Sequence, residues 1–200
     1  GAGTDTLDYS AYTTAVTVDL GSGAATGTAG VSNIGQVIGG AGSDTLIGAD
    51  ADANWNVSGL GSGTVAGVAF SNIENLSGGA GADTFSFAGG AIGGVVTGGA
   101  GDDTLDYAAD SAGVTIDLVS GMATHTGTIA EIENLVTGAG DDTIVGALAA
   151  LILRTGAGTD TLDFAAVSSD LSVTVHADGT LTVSDGTYRV TGISGVENIV

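Results

Sequence analysis

One seven-residue unit, Gly-Ala-Gly-x-Asp-Thr-hydrophobic, occurs six times in this 200-residue chain, beginning at Gly1, Gly40, Gly79, Gly99, Gly138 and Gly156. A unit repeated this often means that one structural corner is rebuilt along the molecule, so the chain reads as a repeat array. Each copy carries an acid at the same place: Asp5, Asp44, Asp83, Asp103, Asp142 and Asp160. Copies are 39, 39, 20, 39 and 18 residues apart. A coil of roughly 18–20 residues, marked by the unit in some turns only, accounts for both classes of step. About ten coils at ~4.8 Å each give a rod of roughly 50 Å.

Between the corners, apolar residues alternate: Val16, Val18, Leu20; Val114, Ile116, Leu118; Leu171, Val173, Val175. Period two with β-branched residues predicts half-buried strands. Gly-Ser-Gly at 21–23 and 61–63 and Asp-Gly at 178–179 and 185–186 mark turns, and the Asp-Gly pairs allow local hairpins near the end of the chain. The expected fold is all-β, a parallel β-helix or β-roll solenoid over residues 1–200, with modules 1–39, 40–78, 79–98, 99–137, 138–155 and 156–200. Residues 1–39 align without gaps on 99–137, and 40–78 is a variant holding the single Trp, Trp55. Residues 147–154 are apolar enough for a helix, but coil spacing favours a strand. The last residue of each unit (Leu7, Leu46, Phe85, Leu105, Ile144, Leu162) is expected to point inward. The ends match internal segments, so the chain reads as part of a longer array.

Composition narrows the partners. Two Arg, no Lys and 23 acidic residues give a net charge of −21. No basic surface exists to displace counterions from nucleic acid, and anionic membranes repel such a chain. Its longest apolar run is too short for membrane insertion. The absence of Cys excludes disulfide dependence. A strongly acidic surface suits an exterior rich in divalent cations.

Gly39-Gly40-Ala41-Gly42-Ser43-Asp44-Thr45-Leu46-Ile47 resembles the haemolysin-type (RTX) calcium-binding nonapeptide. Residues 78–86 and 98–106 resemble it equally, whereas 137–145 and 155–163 open with Thr. The resemblance implies a parallel β-roll with Ca2+ between stacked loops, bound by the Asp carboxylate and loop carbonyls. Calcium wants six to eight oxygens. The family's units run in tandem; here only the copies at 138/156 and 79/99 are close enough to share an ion. The expected metal residues are therefore Asp142, Asp160, Gly138, Gly140, Gly156 and Gly158, then Asp83 and Asp103. Asp44 and Asp5 lie in isolated copies, where an Asp can instead cap its own turn. The mosaic also resembles large bacterial extracellular repeat proteins and adhesins, implying an extracellular or cell-surface location.

Other constellations are weaker. Glu74-Asn75, Glu133-Asn134 and Glu197-Asn198 recur and read as structural turns, or alternatively as further ligands or a glycan-binding row. Asp50-Ala51-Asp52-Ala53-Asn54 opens like a calcium loop, but Trp55 and Gly61 stand where an EF-hand needs Gly and Glu. His125 and His176 are isolated, and the Asp102-Asp103 and Asp141-Asp142 pairs point to opposite strand faces, so no catalytic set is expected. Tyr9, Tyr107 and Phe164 read as core. The expected function is a structural segment of a secreted or surface protein (filament, sheath or adhesin stalk), calcium-stiffened and self-associating, with a surface or glycan ligand conceivable. The alternative is an RTX-type secretion and folding module of a secreted enzyme or toxin.

Overall fold

The strands are short because a Gly-rich corner or a turn interrupts every apolar run, and what stabilises each is the coil above and below it. The computed structural model describes residues 3–146 and 151–200. One side is a 12-stranded sheet; the other consists of two five-stranded sheets. The chain passes from the long sheet to a short one and back. Asp5–Asp8, Ile34–Ile38, Thr84–Phe87, Thr104–Asp106, Asn134–Val136 and Leu151–Arg154 belong to the long sheet, and Thr17–Asp19, Thr45–Ile47 and Asn75–Gly79 to the first short one. Thr115–Asp117, Thr143–Val145, Asp160–Asp163 and Val196–Ile199 build the second. No helix occurs among the described residues, and none there is long and apolar enough to cross a membrane.

Parallel, in-register stacking puts like on like. Trp55 lies on Phe85, Phe85 on Leu105, Leu105 on Leu135 and Leu135 on Leu153. On the other side run Val18, Leu46, Leu76 and Val96, and then Ile116, Ile144, Leu162 and Ile199. Of the unit-ending residues expected inside, Leu46, Phe85, Leu105, Ile144 and Leu162 are fully buried, and Leu7, in the terminal coil, is partly so. Tyr9, Tyr107 and Phe164 are core, as expected. The hydroxyls of Tyr9 and Tyr107 donate to the carbonyls of Thr26 and Thr124 at matching points of segments 1–39 and 99–137. Leu151–Arg154 is a strand, and the rest of the apolar run at 147–150 lies outside the described residues.

Two antiparallel meanders depart from the regular coil. Asn54–Gly59, Ser62–Val65 and Val68–Ser71 form the first, Ser172–Val175, Leu181–Ser184 and Arg189–Ser194 the second. The second turns at the two Asp-Gly pairs, with Gly179 and Gly186 at positive φ. The long steps also differ from a doubled coil. Coils with bare corners are 20 residues (Thr84 on Thr104) or 18 (Thr143 on Thr161), whereas turns and meanders extend others to 28 (Thr17 on Thr45) or 30 (Thr104 on Asn134). A 39-residue step therefore moves the unit to the opposite side of the rod. An 18- or 20-residue step keeps it on the same side.

Candidate calcium-binding corners

The acids of the repeated unit point inward. Asp44, Asp83, Asp103, Asp142 and Asp160 are essentially inaccessible to solvent. In each, Oδ1 accepts a backbone N–H from the preceding coil on its side: Val16 to Asp44 (2.8 Å), Ala53 to Asp83 (2.8 Å), Asp83 to Asp103 (2.7 Å), Val114 to Asp142 (2.8 Å) and Asp142 to Asp160 (2.9 Å). The expectation that isolated copies cap their own turn holds for the second oxygen of Asp44, which accepts from Gly40 N–H at 2.5 Å. The first oxygen of every one of these acids instead ties two coils together. That arrangement requires the carboxylate to face the stacking direction, which the neighbouring turn permits.

The Glu-Asn segments complete the same columns. Asn75 stacks on Thr45, Asn134 on Thr104 and Asn198 on Thr161, which places each Glu opposite a unit Asp. Glu74 Oε2 accepts Asp44 N–H (2.8 Å), Glu133 Oε2 accepts Asp103 N–H (2.9 Å) and Glu197 Oε2 accepts Asp160 N–H (2.7 Å). Glu-Asn-Leu is thus the unit's Asp-Thr-Leu rewritten for a corner without the Gly-rich loop, the longer side chain reaching the same donor. The Asn side chains bond backbone, Asn75 and Asn134 donating to the carbonyls of Asp44 and Asp103. The columns read Val16–Asp44–Glu74, Ala53–Asp83–Asp103–Glu133 and Val114–Asp142–Asp160–Glu197. In the sequence the two motifs stand as separate rows; the signal that joins them is the alignment of Glu-Asn-Leu on Asp-Thr-Leu.

Register selects two pairs. The copies at 79 and 99 stack through Thr84 on Thr104, those at 138 and 156 through Thr143 on Thr161. In these four copies the second carboxylate oxygen, Oδ2 of Asp83, Asp103, Asp142 and Asp160, is buried and makes no hydrogen bond. Burying an anionic oxygen without a donor is costly, so it calls for a cation or a proton. The surroundings are rich in oxygen. A Cβ on Gly78 would lie 2.2 Å from Asp83 Oδ2 and 2.4 Å from the Gly98 carbonyl oxygen; one on Gly98 would lie 2.4 Å from Asp103 Oδ2 and 2.0 Å from the Glu131 carbonyl oxygen. The glycines keep open a space that carboxylate and carbonyl oxygens border. These donors fit calcium, a hard cation satisfied by carboxylate and carbonyl oxygen.

Gly138 and Gly156 stack so closely that a Cβ on Gly156 would sit 1.7 Å from the Gly138 carbonyl oxygen; Gly158, at φ +142°, bears likewise on Gly140. Asp5 is only partly buried in the terminal strand, and the start of its copy, residues 1–2, lies outside the described residues. Burial raises the Asp83 and Asp103 carboxyls above the ordinary range, opposed by the N–H bonds each accepts and reinforced by neighbouring acids. Among the described residues no three His, Asp or Glu side chains converge as a metal cluster, so carbonyls must supply much of any coordination.

The remaining candidates have structural partners. Asp52 Oδ1 accepts Ala82 N–H (2.9 Å) and Asp141 Oδ1 accepts Thr159 N–H (2.8 Å), each linking stacked corners. Asp102 and Asp141 are exposed while Asp103 and Asp142 are buried. His125 Nε2 lies 2.7 Å from Asp110 and its ring stacks on Phe87; His176 bonds Thr182.

A two-sided β-roll with Gly-x-Asp corners is the architecture of a calcium-type repeat. Four segments, 32–52, 70–91, 95–111 and 130–162, match the RTX calcium-binding nonapeptide repeat, together covering five of the six unit copies. The chain carries haemolysin-type calcium-binding repeats, and such repeats typify secreted bacterial proteins. No curated protein matches it, and no solved structure does.

Proposed function

We propose that this chain is a calcium-stiffened structural rod of a secreted or surface-displayed protein, a spacer that acts by holding its ends apart and by self-association, without catalysis of its own. The observation that carries the reading is the coincidence of two independent patterns. The four unpaired buried Oδ2 atoms occur in the two pairs of copies that stack directly, and Asp44, whose copy stacks on none, has both oxygens bonded. Calcium at the 79/99 and 138/156 corners neutralises charge inside the rod and fixes neighbouring coils to one another. Asp83, Asp103, Asp142 and Asp160 supply carboxylate oxygen, and the loops at Gly138, Gly140, Gly156 and Gly158 supply carbonyls.

The alternative role, a calcium-triggered folding module of a secreted enzyme, uses the same sites and differs in how much of the fold depends on them. Circular dichroism and calorimetric titration of the chelated chain with CaCl2 separate the two. A chain folded in chelator whose melting temperature rises on calcium supports the rod. Complete unfolding in chelator supports the folding module. No heat of binding and no change in melting temperature defeats both.

A further inference from the structure

The nonapeptide opens with Gly in three copies and with Thr in two, and the two Thr side chains are not used alike. Gly39, Gly78 and Gly98 stand five residues before Asp44, Asp83 and Asp103, as Thr137 and Thr155 stand before Asp142 and Asp160. A Cβ on these glycines would lie 2.7, 2.2 and 2.4 Å, respectively, from Oδ2 of the unit Asp that follows. This position therefore aims whatever side chain it holds at the unit carboxylate. The backbone bonding there is the same with Thr. Gly39 N–H donates to the Ser71 carbonyl (2.9 Å), Thr137 N–H to the Arg154 carbonyl (2.9 Å) and Thr155 N–H to the Ser194 carbonyl (3.0 Å), each in the following coil.

The hydroxyls differ. Thr155 Oγ1 donates to the Ser194 carbonyl at 2.9 Å. Thr137 is 2% exposed, and its Oγ1 is buried without a hydrogen-bond partner. Asp142 Oδ2, the carboxylate oxygen that this position faces, is buried and unpartnered as well. Two unpaired polar oxygens in one dry corner are costly, and a hydroxyl is free to rotate toward any acceptor within reach. A proton on Asp142 does not resolve the corner, since the two oxygens form no hydrogen bond with each other. A cation does, because it draws on the lone pairs of both and needs a hydrogen from neither.

We propose that Thr137 Oγ1 is a calcium ligand of the 138/156 corner, a neutral hydroxyl oxygen added to the carboxylate of Asp142 and the loop carbonyls. A hydroxyl is a hard donor like water, and a demand for six to eight oxygens leaves room for it. Among the described residues no three His, Cys, Asp or Glu side chains converge, so each further protein oxygen takes the place of a water. The 79/99 corner, with Gly78 and Gly98 at the same position, has no such donor. Thr137 therefore makes the two corners unequal: one is lined by carboxylate and carbonyl oxygen alone, the other by a hydroxyl besides. The assignment deepens the calcium reading and rests on it.

Calorimetric titration of the full chain with CaCl2 tests this, with Asp103→Asn disabling the 79/99 corner so that the 138/156 corner is read alone. In that background Thr137→Val, close in shape but without the hydroxyl, should weaken calcium binding by roughly tenfold, and Thr137→Ser should restore it. Thr155→Val should leave the affinity unchanged, because that hydroxyl is committed to the Ser194 carbonyl. Thermal melts guard against a general loss of structure. Thr137→Val should melt no lower than its parent in EDTA, since it loses no hydrogen bond, and lower than its parent in CaCl2. Unchanged calcium affinity in Thr137→Val overturns the proposal. So does a fall in melting temperature as large in EDTA as in CaCl2, the result expected if the hydroxyl holds a buried water. Absence of binding heat in the Asp103→Asn parent overturns it too, while heat in the wild type keeps the rod reading intact. Absence of heat in the wild type defeats both.

Discussion

Replacing Asp103 with Asn should have opposite effects with and without calcium. In the native protein Asp103 Oδ1 accepts Asp83 N–H at 2.7 Å, and Oδ2 is buried without a donor. Asn keeps the acceptor and puts an amide N–H2 where the orphaned oxygen stood, close to the Glu131 carbonyl across the Gly98 gap. In chelator this removes a buried anionic oxygen and adds one hydrogen bond. An unsatisfied buried group costs about 1–3 kcal/mol. At ~2–4 °C per kcal/mol for a chain of this size, melting should rise by roughly 2–12 °C. In calcium the sign reverses, since Asn withdraws a charged ligand oxygen. Calcium at about 100 times its dissociation constant stabilises by roughly 2.7 kcal/mol per site, and that increment is what the variant loses at the 79/99 corner.

Thermal melts followed by circular dichroism in EDTA and in CaCl2 measure both effects. Asp103→Ala is the control: it also deletes the Oδ1 acceptor and strands Asp83 N–H, so it should destabilise in both buffers. If Asp103→Asn is destabilising in EDTA by as much as Asp103→Ala, the buried oxygen is not under-satisfied and the argument for a cation there fails.

Three further outcomes follow from the same geometry. Because burial raises the Asp83 and Asp103 carboxyls, their contribution is fully present below their unfolded value of about 3.8 and is lost as pH rises through the higher folded value. Exposed turn acids such as Asp19 and Asp117, held low by Ser22 and Ser120, instead stabilise above the unfolded value and lose that contribution as pH falls. Melting temperature of the chelated chain should thus fall as pH rises above about 3.8 through the folded values of Asp83 and Asp103, and fall again below that value as the turn acids are protonated, with calcium abolishing the fall on the high-pH side. Glu131 sits at φ +55° in the corner where Asn33, Asn72 and Gly195 stand in the sister segments; Glu131→Asn should stabilise by about 0.5–1 kcal/mol in urea melts. Gly99→Ala, at φ +110° and with a Cβ that would fall 2.1 Å from the Gly79 carbonyl oxygen, should cost about 3 kcal/mol or more by the same assay, through backbone strain and displacement of a stacked coil.

Much of this molecule was legible in its residues, for physical reasons that also mark the limit. Period-two runs and Gly corners at 18 and 20 residues predict a solenoid because stacked coils need equal contours. They singled out the 79/99 and 138/156 corners, which do stack. What the spacing misjudged was the 39-residue step. A turn such as Gly21-Ser22-Gly23 or the meander around Gly61 lengthens a coil without leaving a periodic trace, so side switching was invisible. The function of Glu74, Glu133 and Glu197 was hidden for a related reason. Their role depends on register across 30 or 37 residues, and an extra methylene disguises the equivalence with Asp.

The side switching has an electrostatic logic. At a coil spacing of about 4.8 Å and an effective dielectric near 20, two adjacent carboxylates repel by about 3 kcal/mol. A single column containing every unit Asp would accumulate that repulsion at each step. Instead the columns hold one or two Asp, start at the N–H of Val16, Ala53 or Val114, and end at a Glu. Each column thus holds two or three acids, the longer Glu side chain closing it, and it is in the stacks where two Asp adjoin that Oδ2 lacks a proton donor. A cation at those two points offsets the Asp–Asp contact of each stack. On this logic, inserting a further 18-residue unit after residue 162 should extend an uncompensated column to three Asp. The lengthened chain should then be less stable than the parent in EDTA and regain its stability in calcium.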